Sequence, residues 1–530
     1  MSNRGLVLLA AFAVNACSFA PTYKIPDSAP AADSYKEIGE WKAAEPLDHG
    51  ISGPWWEIFQ DPALDALESK AGGANQDLKA AYARLQQARA ATRIARADLF
   101  PTFKAGAAAA RSRTSENSPR FPLHIEPVGN DFDLEADLSY EIDVWGRIRN
   151  ALASAKANQQ ASAADLAALN LAIHAELAAD YFGLRAEDAS VELLDKTVDD
   201  YAKSLKLTQN LYNGGGAALS DVAQAQAQLE TARTQAAEVR LQRAQSEHAI
   251  AVLLGLNASA FHLDVAPLPV PLEMPAIDPG LPSTLLERRP DVAAAERRVA
   301  AANAQIGVAR AAYFPVFSLT AAAGFNSTSS SNWLSAPSQL WAIGPAGLLT
   351  VFDAGRHRAQ TAQARAAYDE QVADYRSTVL TAYQEVEDNL AALRQLQQES
   401  ASEAAAVTAT STALQQAQYR YQAGVVTYLE VSATENASLQ AQLAVVTIEL
   451  RRLTSTVLLV KALGGGWQRR DGAAASIQEP LAHMLTSPLL VEIMTRARLS
   501  PLLKVRREPG PCRGSAGFGP KQFLISPLKV

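Results

Sequence analysis

The sequence predicts a mainly helical chain that also carries a few membrane-type β-strands. Two long stretches lack helix breakers: residues 147–213 contain no Pro and one Gly, and residues 356–423 contain neither. Directly before the first of them, residues 131–144 alternate apolar and polar side chains, which is the two-residue period of a strand. The main landmarks of the chain also occur twice. Long helices and strands, present once in each half, are therefore the predicted architecture.

The duplication follows four ordered landmarks. Each landmark of the first half recurs in the second: residues 96–101 at 310–315, residues 143–147 at 352–356, residues 212–222 at 421–431, and residues 254–255 at 463–464. Arg356 stands 209 positions after Arg147, and the later landmarks keep that offset. A period of about 200 residues exceeds any solenoid unit and indicates a duplicated half that places two similar elements around one axis.

Each long helical stretch is followed by a break and a second helical stretch. The breaks are the Gly run 214–216 and Gly424, and the second stretches reach Gly255 and Gly464. Gly at such positions ends a helix and permits a tight turn. Each half therefore predicts one long helical hairpin.

The alternating segment predicts a strand whose two faces differ in polarity. An apolar strand face needs either a core layer or lipid, and the neighbouring sequence offers only Ala-rich helix and loop. In an outer-membrane barrel the apolar face meets lipid and the polar face lines water. The predicted lumen-facing carboxylates are Asp133, Glu135, Asp137 and Glu141.

Further strands are predicted at residues 102–113, 317–325 and 339–352, which gives about four per chain. Four strands cannot close a barrel, and each unpaired backbone group in lipid costs several kcal/mol. Single-chain barrels begin at about eight strands. The barrel must therefore combine at least two chains.

The N-terminus is similar to a bacterial lipoprotein signal. Arg4 is followed by an apolar run, residues 6–14, that is too short to span a bilayer. Ala16 precedes Cys17, whose thiol would be acylated and become the mature N-terminus. An ordinary secretory signal with an incidental Cys is the alternative. We predict a signal peptide over residues 1–16 and a lipidated linker over residues 17–60.

The other predicted boundaries follow from the repeats. They are a first repeat over residues 61–256, a linker over 257–281, a second repeat over 282–467 and a tail over 468–530. The tail has scattered Pro, basic clusters and no repeat partner. A disordered tail and out-of-frame translation of the 3′ end of the gene both explain this composition.

Composition and motifs exclude several classes of function. The net charge of −7 argues against a nucleic-acid partner. No strand-linked phosphate loop, His-Glu-x-x-His or Cys-x-x-Cys motif occurs, and the seven His residues are scattered. We therefore predict a protein that is not an enzyme and that needs no cofactor and no metal.

One stretch of the second half resembles a known family. Residues 286–292 read LERRPDV and continue through ANAQIGVAR at 302–310 to Tyr-Phe-Pro at 313–315, and residues 463–467 read LGGGW. These motifs resemble TolC-like outer-membrane factors, and more narrowly the NodT-type lipoproteins that serve resistance-nodulation-division efflux systems. The resemblance covers residues 17–467.

The resemblance implies a function and an assembly. It implies a homotrimer with a twelve-stranded barrel in the outer membrane and a twelve-helix tunnel across the periplasm. A periplasmic adaptor protein and an inner-membrane pump are the implied partners, and multidrug efflux through a passive conduit is the implied activity. A lipid-anchored periplasmic adaptor or scaffold, and an exit duct for type I protein secretion, are the alternatives.

The resemblance also assigns roles at the hairpin tips. Arg420 and Tyr421 match positions that tether helices, Leu429 matches an apolar constriction, and Glu430 matches an acidic ring. Asp221 is the repeat equivalent of Glu430, whereas Ser220 stands where the second half has Leu429. Carboxylates crowded at a constriction would select cations and have raised pKa values. The alternative is that both carboxylates only complement helix dipoles.

The second tip departs from the family at the position of a second acidic ring. The family's further acidic position, four residues after Leu429, is Ala433 here.

Overall fold

The computed structural model describes residues 18–28, 34–38, 53–115, 117, 127–270, 274–275, 277 and 288–465. The predicted signal peptide, the predicted lipidation site Cys17 and the predicted tail 468–530 lie outside these residues. Within the described ranges, no helix is both long and apolar enough to cross a membrane.

From the helix Gln76–Ala97 onwards the first half has the same order of elements as the second, and one further helix precedes them in the first half. The first half contains α1 (Pro62–Ala74), α2 (Gln76–Ala97), β1 (Thr102–Arg113), β2 (Val128–Ile142), α3 (Arg147–Asn213) and α4 (Leu219–Leu253). The second contains α5 (Pro290–Ala311), β3 (Val316–Ser327), β4 (Gln339–Leu348), α6 (Arg356–Gln422) and α7 (Tyr428–Ala462). The predicted helical hairpins are confirmed: α3 and α6 have 67 residues each, which makes each roughly 100 Å long.

The apolar core forms where the middle of α3 meets the other helices. Its fully buried members include Leu64 of α1, Leu177 of α3, Val299 of α5, Val379 of α6 and Val457 of α7. A second, smaller cluster lies towards the hairpin ends. The two hairpins therefore pack on each other in the middle and again near their tips.

The four strands form one antiparallel sheet in the order β1-β2-β3-β4. Residues directly opposite each other in antiparallel strands point to the same face. Leu138 faces Phe103 and Ala321, whereas Asp137 faces Lys104 and Ala322. Among the residues that the structure describes, β1 and β4 each have one edge without a partner strand.

The register sorts the strand side chains onto two faces. The apolar face carries Phe103, Phe132, Leu134, Leu138, Tyr140, Ile142, Phe317, Leu319, Phe325, Trp341 and Ile343. The polar face carries Lys104, Gly106, Ala108, Asp133, Glu135, Asp137, Thr320, Ala322, Gly324 and Asn326. All four predicted strand carboxylates, at positions 133, 135, 137 and 141, thus share the polar face.

The end of β2 differs from the sequence prediction. The strand stops at Ile142, because the Asp143 carboxylate accepts hydrogen bonds from the backbone N–H groups of Ile148 (3.2 Å) and Arg149 (2.9 Å) at the start of α3. The fourth predicted carboxylate, Glu141, forms two hydrogen bonds of 2.8 and 2.7 Å with the Arg147 guanidinium. Both carboxylates therefore act at the joint between sheet and helix. Similarly, β4 ends at Leu348 rather than at residue 352.

Candidate functional site: the hairpin tips

The two hairpin turns have the same backbone. Gly215 and Gly424 adopt left-handed φ values of 75° and 73°. The amide of Gly216 donates to the carbonyl of Leu211 (2.8 Å), and the amide of Val425 donates to that of Arg420 (2.9 Å). The duplicated turn therefore presents equivalent positions of the two halves in equivalent places.

Arg420 and Glu430 form an ion pair across the second turn. Arg420 lies in the last turn of α6 and Glu430 in the first turn of α7, and the Arg420 guanidinium hydrogen-bonds to Glu430 Oε1. In the first half, Leu211 stands in place of Arg420. Among the described residues no basic side chain forms an ion pair with Asp221. The two tip carboxylates thus have different surroundings, although both occupy the first turn of a helix.

Tyr421 joins α6 to α3. Its side chain is 7% exposed, and its hydroxyl donates to Thr208 Oγ1 at 3.3 Å. Its ring lies edge-on to Tyr428, with ring centroids 5.5 Å apart. Burial raises the pKa of Tyr421, which keeps the hydroxyl protonated and able to donate.

Leu429 makes little contact with the rest of the described chain. Its side chain is 66% exposed, and Ser220, its repeat equivalent, is also exposed. Sequence reasoning missed Leu219, which is 63% exposed at the neighbouring position of the first tip. Both tips therefore present an apolar side chain, at positions that differ by one residue.

A buried polar network links the two hairpins just above the tips. Glu435 of α7 accepts hydrogen bonds from Ser204 of α3 and from Tyr428, each at 3.0 Å. The Gln228 amide of α4 donates to Asn436 Oδ1 at 2.7 Å, and the Asn436 amide donates back at 3.2 Å. These bonds connect the α3/α4 hairpin to α7. Because hydrogen bonds are directional, they fix the relative position of these helices, which apolar packing alone would not fix.

Burial raises the pKa of Glu435. The nearby charge of Asp200 raises it further, whereas the hydroxyl donors Ser204 and Tyr428 oppose the shift.

A groove of about 450 Å³ between α3, α6 and α7 is lined by Glu435 together with Asp200 and Lys203. The carboxyl group therefore lies at the inner wall of a water-accessible groove.

The sequence contains a signal for this network. Glu435 lies four residues after Val431 and four before Leu439, both of which are buried. It therefore interrupts the apolar stripe of α7, where a carboxylate needs partners. Among the described residues no three His, Cys, Asp or Glu side chains converge in a way that could hold a metal ion.

Comparison with known proteins yields consistent matches. The family model for outer membrane efflux proteins matches residues 67–256 and 281–465. The probable efflux pump outer membrane protein TtgC of Pseudomonas putida is 33% identical over 480 residues, which cover 89% of this chain and 97% of TtgC.

Two solved structures resemble the whole fold. The CmeC outer membrane channel of Campylobacter jejuni superposes with a TM-score of 0.80 at 25% identity, covering 89% of this chain and 98% of CmeC. The open state of the MtrE outer membrane channel of Neisseria gonorrhoeae gives a TM-score of 0.73 at 28% identity, covering 86% of this chain and 100% of MtrE.

Proposed function

Because the chain belongs to the family of outer membrane efflux proteins, we propose that it works as a homotrimer joined to a periplasmic adaptor protein and an inner-membrane pump. The chain is the outer-membrane channel of a tripartite efflux system, a conduit across the periplasm and the outer membrane, and not an enzyme. The assembly and the roles of individual residues are the proposed part.

The two-faced sheet is the observation that supports the assembly. Its apolar face suits lipid, and its polar face suits a water-filled lumen. The outer edges of β1 and β4 have no partner strand in the described part of the chain, and unpaired edges in lipid cost several kcal/mol per backbone group. Three copies joined β4 to β1 would give twelve strands and no edge. A periplasmic scaffold has no use for the apolar face, and the named relatives serve efflux rather than protein secretion.

The hairpin tips are the proposed periplasmic gate. Leu429 supplies the apolar constriction, because its exposed side chain needs partners from other protomers. Tyr421 tethers α6 to α3, and Arg420 holds Glu430 within the hairpin. Glu430 and Asp221 supply the acidic ring. Because Arg420 balances Glu430, Asp221 contributes more of the net negative charge than the sequence suggested.

The first described residues support a lipid anchor at Cys17. Ser18 donates a hydrogen bond to Asn150 Oδ1 at 3.1 Å, and Phe19 stacks on Phe314 with centroids 4.4 Å apart. Asn150 and Phe314 both lie next to the joint between sheet and helices. An acyl chain on the preceding residue would thus begin near the periplasmic surface of the membrane.

Mass spectrometry tests assembly and anchor together. In mild detergent we expect a particle of three chains, each beginning at an acylated Cys17. A stable monomer would contradict the trimer. A particle of three chains with an unmodified N-terminus would contradict the lipid anchor but not the trimeric channel.

A further inference from the structure

Helices α2 and α5 are repeat equivalents, and each leads into the sheet. Residues 96–101 recur at 310–315, so each position of α2 corresponds to the position 214 residues later in α5. Both helices turn the same side towards the core, because equivalent positions are buried in both. These pairs are Leu78 and Val292, Ala81 and Ala295, and Leu85 and Val299. Equivalent positions of α2 and α5 therefore lie on equivalent faces of the channel wall.

In the second half, the N-terminal segment covers one flank of α5. The Asn303 amide donates a hydrogen bond to the carbonyl of Pro21 (2.8 Å), and the Arg310 guanidinium donates one to the carbonyl of Phe19 (3.2 Å). A Cβ at Gly307 would lie 2.7 Å from a side chain of the segment, which thus runs directly against the helix between these two bonds. Positions 303, 307 and 310 therefore define an outer flank of α5.

The same segment marks the side of the wall that faces lipid. The Phe19 ring stacks on Phe314, and Trp145 joins Phe314 to Phe317 with ring centroids 4.9 and 6.4 Å apart. Phe317 belongs to the apolar face of the sheet, so the segment lies on the lipid side rather than in the lumen. With the proposed acyl anchor two residues before Phe19, Arg310 lies at the level of the phospholipid headgroups.

The outer flank of α2 carries three arginines. Arg89, Arg93 and Arg96 occupy the positions equivalent to 303, 307 and 310. Among the described residues, none of the three guanidinium groups has an ion-pair partner. Phe100 is the repeat equivalent of the aromatic ring on which Phe19 stacks, and it is 62% exposed. The first half therefore presents cations and an open aromatic ring where the second half binds the N-terminal segment.

No carboxylate of the neighbouring sequence balances these cations. Residues 78–97 and 144–164 contain no Asp or Glu. Asp98 lies close enough to Arg147 to interact with it, and the Arg147 guanidinium pairs with Glu141 on the polar face of the sheet. The nearest carboxylates in sequence thus lie towards the lumen, and the outer flank of α2 carries a net positive charge.

We propose that Arg89, Arg93, Arg96 and Phe100 bind an anionic phospholipid of the periplasmic leaflet. Its phosphate takes the position that the carbonyl of Phe19 has on α5, because guanidinium groups match phosphate oxygens, and its acyl chains lie against the Phe100 ring. The proposal rests on the proposed placement of the apolar face in lipid. It gives each protomer one phospholipid site, at the place where its other half holds the N-terminal segment.

Native mass spectrometry of the full-length trimer, titrated with phosphatidylglycerol, tests the site. The triple variant Arg89→Gln/Arg93→Gln/Arg96→Gln should bind this lipid about tenfold more weakly, because each cation near an anionic headgroup adds to binding. Arg84→Gln is the matched control: Arg84 stands nine residues before Arg93, which is about 2.5 turns and therefore the opposite side of α2. It should bind like the unaltered protein. Equal binding by the triple variant would overturn the proposal, as would equal binding of phosphatidylglycerol and phosphatidylethanolamine by the unaltered protein.

Fluorescence quenching in vesicles locates the acyl chains. Phe100→Trp adds a reporter at the site, and Phe103→Trp adds one on the apolar face of the sheet, in contact with bulk lipid. Phosphatidylglycerol with brominated chains should quench the reporter of Phe100→Trp at a several-fold lower mole fraction than brominated phosphatidylethanolamine. The two lipids should quench that of Phe103→Trp equally. Equal quenching in Phe100→Trp would overturn the site, and no quenching would show that a protein segment covers it.

The outcomes also separate this proposal from the proposed assembly and anchor. A protein that never forms a trimer refutes the assembly, and its preference for phosphatidylglycerol then decides the site by itself. A trimer with an unmodified N-terminus that prefers phosphatidylglycerol refutes only the anchor. An intact triple-variant trimer that keeps this preference refutes only the phospholipid site. If the triple variant does not assemble, Arg93→Gln replaces it, and binding equal to that of Arg84→Gln overturns the proposal.

Discussion

The α3/α4 and α6/α7 hairpins share a backbone but differ in the side chains at their tips. The turn glycines Gly215 and Gly424 have φ values within two degrees of each other. At equivalent positions, however, the first tip has Leu211, Ser220, Asp221 and Gln226 where the second has Arg420, Leu429, Glu430 and Glu435. Turn geometry depends on the backbone, whereas the proposed gating depends on side chains. Duplication preserved the former and left the latter free to diverge.

The largest effect on stability is expected at the two glycines that end the two halves. Gly255 and Gly464 have positive φ, and a Cβ there would lie 2.6 Å from the Ala74 carbonyl oxygen and 2.1 Å from the Arg288 carbonyl oxygen, respectively. Gly464→Ala should lower the free energy of unfolding by about 3 kcal/mol or more, through backbone strain and overpacking. Gly255→Ala should cost less. Chemical unfolding in detergent measures both, and a larger loss at Gly255 would reverse this ranking.

The second effect concerns the proposed constriction at Leu429. Leu429→Ser copies Ser220 into the second tip and replaces the apolar ring by a polar one. An apolar ring excludes water from a narrow pore and a polar ring does not, so the variant should raise single-channel conductance several-fold. Cells carrying it should also admit bulky antibiotics such as vancomycin. Ser220→Leu is the reciprocal control and should lower conductance. Unchanged conductance in both would place the constriction elsewhere along the tunnel.

The third effect concerns the buried carboxyl group. Glu435→Gln copies Gln226 and keeps the partners Ser204 and Tyr428. Burial raises the pKa of Glu435 in the folded protein above its ordinary value of 4.5. The contribution of this group to stability is therefore fully present below pH 4.5, where the carboxyl group is protonated, and it is lost as the pH rises through the raised pKa. The variant should therefore be more stable at pH 7, and its stability should vary less with pH above 4.5. Thermal unfolding across this pH range measures the difference. Glu430→Gln, at a half-buried position, is the control.

The smallest effect on stability is expected at the ion pair of the second tip. Arg420→Leu copies Leu211 and removes an exposed pair that contributes at most about 1 kcal/mol. It leaves Glu430 without its cation, so cation selectivity and block by divalent ions should both increase. Leu211→Arg should act oppositely by balancing Asp221. Single-channel recordings decide, and a loss of block in Arg420→Leu would show that Glu430 does not face the ion path.

Local patterns predicted the elements well, and contacts between elements poorly. The helical stretches, the turns and the alternating strand follow from residue spacing and Gly placement along the chain. Arg420 and Glu430 were predictable neighbours because ten residues and one turn separate them. The strand end at Ile142 was misjudged because Asp143 continues the alternation while capping a helix.

The contacts between hairpins required the structure. The pairing of Gln228 with Asn436 depends on how far two helices are shifted and rotated relative to each other. Spacing within one helix does not determine either quantity. The N-terminal segment shows the same limit: its Pro-bearing sequence predicted a linker, yet Tyr23 donates a hydrogen bond to Glu296 Oε1 at 2.5 Å.

The equal helix lengths of the two halves restrict how this tunnel changes in evolution and in the laboratory. The long helices have 67 residues each, and the returning helices α4 and α7 have 35 each. One residue inserted in a single helix advances the helix by about 1.5 Å and turns the following side chains by about 100°. Its tip would leave the common plane and its buried stripe would face outwards. A tunnel of a different length therefore requires matched insertions of whole heptads in all four helices.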